Sequence, residues 1–100
     1  MNKSIENFPN YTINTNGIIM NTKFNKVIKG FIYKAKHTSY RRFGLLKDKK
    51  QHYLYLHRLL ALTFIPNPNN YPNVDHKDGN GLNNNLDNLR WCPQSLNLQN

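Results

Sequence analysis

The fold assignment of this chain depends on the segment VDHKDGN, residues 74–80. The segment places Asp75 and His76 side by side and then ends in a turn signal, Asp78-Gly79. Aspartate, asparagine and glycine favour turns for local hydrogen-bonding reasons and because they tolerate positive backbone φ. Three interpretations are therefore open: a simple turn, a calcium-binding loop, or a site that performs chemistry.

A calcium-binding loop of the EF-hand type does not fit the segment. Such a loop needs oxygen donors at alternate positions and a carboxylate at its twelfth position. Counted from Asp75 the twelfth residue is Leu86, and counted from Asp78 it is Leu89. A structural zinc site fails as well, because the single cysteine, Cys92, cannot supply the cysteine pair of a zinc finger.

The residues around this segment predict two short strands and a helix. The stretch NVDHKDGN can be a short strand that runs into the turn, and LRWC, residues 89–92, is a second strand. The loop between them is expected to be anchored by Leu82 and Leu86, with its asparagines explained by turn chemistry or composition bias. Pro93 suits the first position of a closing helix, where its missing N–H is no loss.

The first 71 residues predict a small antiparallel β-rich region with one short helix. Asn16-Gly17 marks a hairpin, and Gly30 interrupts a β-prone stretch at residues 26–36. The remaining elements are paired strands at residues 40–47 and 52–57 and a helix at residues 57–64 that ends before Pro66. The predicted fold class is therefore α+β, with residues 1–71 and 72–100 packed together as one compact unit.

The charge distribution predicts a polyanionic partner. The chain has 14 Lys and Arg against five Asp and Glu, a formal net charge of +9. Residues 1–71 hold twelve basic and two acidic residues, a net charge of +10, whereas residues 72–100 hold two and three, a net charge of −1. A basic first part favours nucleic acid as the partner, and a generally basic protein with chance clustering is the plain alternative.

Cysteine and hydropathy patterns predict an intracellular protein. One cysteine permits no intrachain disulfide, which favours a reducing compartment. The amino-terminal residues lack the apolar region of a signal peptide, and no apolar run approaches the length that spans a membrane. The sequence implies no membrane association and no protein partner, so a monomer is expected.

The whole constellation resembles the HNH endonucleases, also called ββα-metal nucleases, in the branch of phage-type and intron-encoded homing enzymes. The resemblance rests on Asp75-His76, on Asn88 within DNLRW, and on Asn97 in the closing helix. Upstream, HRLLALTFIPNP and NYTINTNGIIMN are similar to segments that precede this motif in those enzymes, so the resemblance covers most of the chain. It implies a small β-rich region followed by a ββα-metal motif, and a metal-dependent DNA endonuclease.

The resemblance also implies roles for the motif residues. Asp75, where the family often has His, and Asn97 would hold one divalent ion, and two oxygen ligands suit Mg²⁺ or Mn²⁺ more than Zn²⁺. His76 would be the general base, and Asn88 would complete the catalytic motif by bracing the loop. Asn100 is three residues after Asn97 and thus on the same helix face, a spacing that leaves two roles open: support of the site, which is favoured, or a spare ligand. The expected products carry 5′-phosphate and 3′-hydroxyl ends.

Double-stranded DNA is the partner that this assignment implies, with contacts from basic side chains. Arg41 and Arg42 are adjacent on a strand, so only one of them can lie on a sheet face that meets DNA. A packing role for His57 is about as well supported as a phosphate contact. The candidate contacts are Arg41, Arg42, Lys47, Lys49, Lys50, His57, Arg58, Lys77 and Arg90.

Two other functions stay open at this point. The first is a DNA-binding module with a vestigial nuclease site, because the chain ends three residues after Asn97 without a further DNA-binding segment. Such a chain is either a truncated protein or a weak binder, and phosphate contacts alone give dissociation constants on the order of 10⁻⁴ to 10⁻⁶ M. The second is an RNA-binding protein with a basic, aromatic β-surface, which leaves the Asp75, His76 and Asn97 set unexplained.

Overall fold

The computed structural model describes residues 2–94, which form three antiparallel sheets and one α-helix. The first sheet has the order β1-β2-β3-β4, the second β5-β6-β7, and the third β8-β9. The strands are β1 Asn2–Ile5, β2 Phe8–Asn14, β3 Ile19–Asn21, β4 Lys26–Ile28, β5 Phe31–Lys34, β6 Ser39–Lys47, β7 Lys50–Tyr55, β8 Asn73–His76 and β9 Leu89–Cys92. The helix α1 is Leu56–Phe64, and a short 3-10 helix covers Leu86–Asn88.

The first sheet contains the hairpin that Asn16-Gly17 predicts. β2 and β3 pair antiparallel, and Gly17 has φ of 79°, in the left-handed region that favours glycine. The side-chain oxygen of Asn14 accepts hydrogen bonds from the N–H groups of Asn16 and Ile18, each at 3.0 Å. β1 is absent from the prediction and adds to the sheet by pairing with β2.

The second sheet contains the two predicted strands that flank the turn at residues 48–51. The turn between β6 and β7 is tighter than expected, because only Asp48 and Lys49 separate the strands. Their φ values of 53° and 66° are typical of a type I′ turn, whose twist matches that of the flanking strands. The second strand therefore begins two residues earlier than predicted, at Lys50.

The β-prone stretch at residues 26–36 divides between the first two sheets. β4 pairs with β3, whereas β5 pairs with β6. Gly30 lies at the crossing, where a Cβ atom would come within 2.7 Å of the carbonyl oxygen of Arg42 and 2.8 Å of the Phe43 ring. Glycine is required here by close packing, and the interruption seen in the sequence is the point where the chain changes sheets.

The helix α1 packs against all three sheets and begins one residue before the predicted start. Its buried residues include Leu56, Leu59 and Leu60, and burial of each leucine side chain stabilises the fold by about 1.5–3 kcal/mol. The helix ends before Pro66, as predicted. The core around it contains Ile5, Tyr11, Ile13, Ile19, Phe43, Leu45, Ala61, Val74 and Leu89.

β8 and β9 form a two-stranded ribbon in which Asp75 is opposite Arg90 and His76 is opposite Leu89. On a regular strand the adjacent side chains of Asp75 and His76 point to opposite faces. The ladder continues through both residues, because His76 is still paired with Leu89, and the chain turns only afterwards at Gly79, which has φ of 76°. A two-stranded ribbon twists strongly, so neighbouring side chains can still border one groove.

The loop after β8 is anchored differently from the prediction. Leu86 packs against the core, but Leu82 is 44% exposed, so its expected role as an anchor is wrong. The loop is instead held by polar contacts, among them a hydrogen bond of 3.0 Å from the Gly81 N–H to the Thr38 hydroxyl. Hydrogen bonds replace apolar burial here because the loop lies on the surface of β6.

The predicted α+β class with antiparallel sheets is confirmed. Val74 and Leu89 lie in one core with residues of the first 71, while the division at residues 71 and 72 stays a prediction. The expected closing helix, with Asn97 and Asn100, lies almost entirely outside the described residues. No helix between residues 2 and 94 is long and apolar enough to cross a membrane.

Candidate active site

His76 occupies the last position of β8, and its side chain is only 6% exposed. The centroid of its ring lies 4.6 Å from that of His57 and 5.9 Å from that of Tyr40. α1 supplies His57 and β6 supplies Tyr40, so two elements of the first region form walls for a side chain of the third sheet. Packing of this kind restricts the imidazole of His76 to a narrow range of orientations.

His57 is a neutral wall of this pocket. Burial, followed by the nearby His76 and Arg58, lowers the pKa of His57 from 6.5 to about 3. Its ring also packs against Tyr40 and Tyr55, with centroids 5.4 and 5.3 Å apart. At neutral pH His57 therefore adds no positive charge beside His76.

Asn84 holds one edge of the His76 ring. The Nε2 atom of His76 and the Oδ1 atom of Asn84 are 2.9 Å apart, a normal hydrogen-bond length. Asn84 lies in the loop between Gly79 and the 3-10 helix. The imidazole is thus contacted by the helix, by β6 and by this loop.

Asp75 lies on the other face of β8 and is paired with Arg90 of β9. The Nε and Nη2 groups of Arg90 both donate to Oδ2 of Asp75, at 3.2 and 3.1 Å. The side chain of Asp75 is 17% exposed and that of Arg90 is 54% exposed. The carboxylate is therefore oriented by a partner that remains accessible to solvent.

The turn after β8 is organised around Asp78 and Asn88. The carboxylate of Asp78 accepts hydrogen bonds from the Asn83 and Asn88 side-chain amides and from the Asn80 N–H, at 2.8 to 3.0 Å. These bonds, with the one from Asn83 the largest contribution, lower the pKa of Asp78. Asn88 also accepts from the Asp78 N–H and donates to the Asn83 carbonyl, so it braces both ends of the loop.

Asp75 and His76 border the same open groove, which has a volume of about 550 Å³. Tyr40 lies in its wall, and burial, followed by Tyr55 and Asp75, raises the pKa of Tyr40, which keeps its hydroxyl protonated at neutral pH. Asp75 and His76 thus line one groove together with the basic residues Lys36 and Arg58. The other lining residues include His37, Thr38, Tyr55, His57, Asn73 and Gly79.

Residues 54–99 match the family model of the HNH endonucleases, which includes this groove's carboxylate and imidazole. This segment of the chain, residues 54–99, belongs to the HNH endonuclease family. A solved structure of a related chain, described as DNA binding and cleavage by the HNH homing endonuclease I-HmuI, has the same fold. The two structures superpose with a TM-score of 0.81 at 35% sequence identity. The superposition covers 99% of this chain and 56% of the related chain.

Relatives of this HNH chain come from a giant virus and from phages. The uncharacterized HNH endonuclease L245 of Acanthamoeba polyphaga mimivirus is 37% identical over 94% of this chain and 28% of the relative. The DNA endonuclease I-HmuI of Bacillus phage SP01 is 38% identical over 90% of this chain and 50% of the relative. The H-N-H endonuclease F-TflII of Escherichia phage T5 is 37% identical over 87% of this chain and 45% of the relative. The chain therefore spans half or less of the length of these relatives.

The structure brings together three of the HNH motif residues that the sequence predicts. Asp75 and His76 border the groove, and Asn88 braces the adjacent loop. The fourth, Asn97, and its neighbour Asn100 lie outside the described residues. The roles assigned to these five residues stay predictions.

The nine candidate DNA contacts of this HNH chain lie in several parts of the structure. His57 and Arg58 border the active-site groove, and Arg90 reaches Asp75 on the other face of β8. Arg41 borders a separate groove of about 600 Å³. Lys47, Lys49 and Lys50 cluster at the turn between β6 and β7, and Lys77 is exposed.

Two of those candidates have packing partners that bear on their role. His57 is 8% exposed, so the packing role weighed for it agrees with its position. The guanidinium of Arg42 lies 5.1 to 5.9 Å from the centroids of four aromatic rings of the second sheet. These rings belong to Phe31, Tyr33, Tyr53 and Tyr55. Arg42 is thus the centre of an aromatic cluster on the sheet face opposite Phe43.

Sequence reasoning missed three residues that shape the HNH groove. Asn84 was covered by the general explanation of asparagines as turn formers, and nothing distinguishes it from Asn83 or Asn85 in sequence. Tyr40 and Lys36 were noted only as part of a basic, aromatic stretch. Their position beside His76 depends on the pairing of β6 with β5 and β7, which no local pattern reveals.

The chemistry of the groove fits a hard divalent cation. Asp75 offers a carboxylate where a phosphodiester can enter, and oxygen donors of this kind suit Mg²⁺ and Mn²⁺. Within residues 2–94 no group of three or more His, Cys, Asp and Glu could hold a metal ion alone. A cation at Asp75 needs further oxygen ligands, such as the Asn97 side chain, water and phosphate, which is the coordination that Mg²⁺ commonly adopts.

Proposed function

We propose that this chain contains the catalytic module of a DNA endonuclease that depends on Mg²⁺ or Mn²⁺. The observation that carries the proposal is the groove that Asp75 and His76 both line. The match of residues 54–99 to the HNH endonuclease family supports it, and so does the similarity of the chain to the DNA endonuclease I-HmuI. The substrate is double-stranded DNA, and the reaction is phosphodiester hydrolysis.

The imidazole of His76 acts as general base in this reaction. It takes a proton from a water molecule while the water oxygen bonds to phosphorus and the bond between phosphorus and the 3′ oxygen breaks. The 3′ oxygen then acquires a proton from solvent, which leaves 5′-phosphate and 3′-hydroxyl ends. A general base contributes typically 10²- to 10⁴-fold to the rate, and an imidazole is suited to this near neutral pH.

Other residues position the reacting groups. Arg90 orients the Asp75 carboxylate, and Asp75 with Asn97 would hold the divalent ion. When bound, such an ion neutralises charge on the phosphate and on the leaving oxygen. The rings of Tyr40 and His57 keep water from one side of His76, so its free edge is directed to the groove.

The basic first part of the chain supplies electrostatic attraction to DNA. Phosphate contacts account for most non-specific affinity and make it salt-dependent. One groove with one general base cuts one strand at a time, so a monomer nicks the duplex. The phage and viral origin of the relatives favours action inside a host cell.

A plasmid-nicking assay tests the proposal. Supercoiled plasmid is incubated with the protein and Mg²⁺ or Mn²⁺, with and without a chelator, beside the variants His76→Ala and His52→Ala. His52 is the matched control, because it lies on β7 and its ring packs on Phe8 of β2, away from the groove. We expect nicking that the chelator and His76→Ala abolish and His52→Ala retains, and nicks that DNA ligase reseals.

Two outcomes would overturn the proposal. DNA binding in a gel-shift assay without nicking in either ion identifies a vestigial nuclease. Tighter binding of single-stranded RNA than of duplex DNA, again without nicking, identifies an RNA-binding protein that uses the aromatic face around Arg42.

A further inference from the structure

We infer that Asn84 is a positioning residue that selects the ring nitrogen with which His76 accepts a proton. The inference rests on the proposed function, since it concerns the general base of that reaction. It begins from the distance of 2.9 Å between His76 Nε2 and Asn84 Oδ1. An amide oxygen can only accept a hydrogen bond, so Nε2 must carry the hydrogen. Neutral imidazole has one N–H, and Nδ1 therefore keeps the lone pair.

The positions of the two grooves agree with this assignment. His76 lines the groove that contains Asp75, whereas Asn84 lines the neighbouring groove with Arg41. The hydrogen bond to Asn84 therefore occupies the Nε2 edge of the ring. The Nδ1 edge is the one that a water molecule in the active-site groove can reach.

The packing around His76 fixes the plane of its ring but leaves the choice of nitrogen open. Tyr40 and His57 contact the ring through their own rings, which offer it no hydrogen bond in this arrangement. Among residues 2–94, the hydrogen bond with Asn84 is the contact that distinguishes Nδ1 from Nε2. A base whose tautomer is wrong presents an N–H to the attacking water and cannot take its proton.

The loop holds Asn84 in place from both sides. Asn83, directly before it, donates from its side chain to Asp78 at 2.8 Å, and its carbonyl accepts from the Asn88 side chain at 2.8 Å. The Gly81 N–H bonds to Thr38 of the neighbouring sheet. Because the backbone of the loop is already fixed, less backbone entropy is lost when Asn84 is held beside His76.

Four proteins test the inference: the unmodified chain, Asn84→Leu, Asn84→Asp and Asn85→Leu. Leucine has nearly the shape of asparagine without its oxygen, whereas aspartate keeps an acceptor and removes the donor. Asn85 is the matched control, because it is adjacent, exposed and makes no side-chain hydrogen bond within residues 2–94. Thermal unfolding of each variant reports whether the fold is retained.

The first measurement is nuclear magnetic resonance of the His76 ring in metal-free protein at a pH where the ring is neutral. We expect an Nε2–H signal protected from solvent exchange in the unmodified chain, in Asn84→Asp and in Asn85→Leu, and its loss in Asn84→Leu. The second is the nicking rate, which falls roughly 10- to 100-fold in Asn84→Leu, as for other residues that orient an active-site histidine. Asn84→Asp and Asn85→Leu retain the rate within a few fold.

The inference is overturned if Asn84→Asp loses the ring signal and the rate as Asn84→Leu does, because Asn84 would then be a donor. It is also overturned if Asn84→Leu retains both. Either result leaves the proposed function standing, provided that the unmodified chain nicks and His76→Ala does not. Absence of nicking in every protein overturns the proposed function, while the ring signal still decides which nitrogen of His76 carries the hydrogen.

Discussion

Arg90 donates two hydrogen bonds to a single oxygen of Asp75, at 3.2 and 3.1 Å, across the β8–β9 ladder. This geometry differs from a fork in which each nitrogen meets its own carboxylate oxygen. The pair lies at the surface, where ion pairs contribute about 0–1 kcal/mol to stability. Its main effect is therefore to hold the carboxylate in one orientation at the edge of the groove.

The first prediction concerns this pair. Arg90→Ala changes the free energy of unfolding by no more than about 1 kcal/mol, but it raises the Mg²⁺ concentration needed for half-maximal nicking because Asp75 loses its fixed orientation. Arg90→Lys retains the charge without two N–H groups in a plane. The Mg²⁺ concentration that it needs for half-maximal nicking is therefore expected to lie between those of Arg90→Ala and the unmodified chain. Urea denaturation and Mg²⁺ titrations of the nicking rate measure these effects. If Arg90→Ala needs less Mg²⁺ than the unmodified chain, Arg90 competes with the ion instead.

The second prediction concerns acid stability and His57. Its pKa is about 3 in the folded protein and near 6.5 when unfolded, so the unfolded chain binds more protons between these values. The stability that neutral His57 contributes is therefore fully present above pH 6.5 and is lost as the pH falls toward 3. The slope is at most about 1.4 kcal/mol per pH unit from this one group.

His57→Phe removes the titrating group and keeps an aromatic wall. Chemical denaturation at pH 7, 5.5 and 4 is expected to show a smaller loss of stability in this variant than in the unmodified chain. His52→Phe is the control, and its loss between pH 7 and 4 should equal that of the unmodified chain. If His57→Phe and the unmodified chain lose the same stability between pH 7 and 4, His57 is not the group that causes the acid sensitivity.

How much of the site was predictable depends on how local its signals are. Asp75, His76 and Asn88 lie in one segment with turn residues and two short strands, so the pattern itself indicates a site. The burial of His57 depends on Tyr40, which is distant in sequence and reaches α1 only through the pairing of the second sheet. Asn84 stands in a run of three identical residues, and the backbone path alone selects which of them meets His76.

The third prediction concerns Gly81, which brings this loop onto β6. A Cβ atom there would collide with the Ser39 carbonyl oxygen and lie 2.7 Å from the Tyr40 ring. Gly81→Ala is expected to destabilise the protein by about 1–3 kcal/mol, as overpacking does, and to slow nicking because Tyr40 borders His76. Gly79→Ala is the control, since it has positive φ but no atom within 4 Å. A smaller stability loss for Gly81→Ala than for Gly79→Ala would contradict the packing argument.

The fourth prediction concerns the amide of Asn88. Its Nδ2 group donates to Asp78 and to the Asn83 carbonyl, at 3.0 and 2.8 Å. Asn88→Asp places a carboxylate against two acceptors, so it should destabilise the loop more than Asn88→Ala, despite its similar shape. Protease sensitivity of the loop and the nicking rate at pH 7 test this order. If Asn88→Asp nicks faster than Asn88→Ala, the donor role of this amide is wrong.

The fifth prediction separates basic residues that meet DNA from one that serves the fold. Lys49 and Lys50 are exposed at the β6–β7 turn, whereas Arg42 is surrounded by four rings. Each lost phosphate contact reduces the salt dependence of binding, log K against log [salt], by about 1. The double variant Lys49→Ala with Lys50→Ala should therefore reduce the slope by roughly 2 without changing stability.

Arg42→Met should lower stability and leave the slope nearly unchanged, because cation–π contacts rather than phosphate hold the guanidinium. Binding titrations at several salt concentrations, together with urea denaturation, measure both, and a reduced slope for Arg42→Met at unchanged stability would place Arg42 on the DNA.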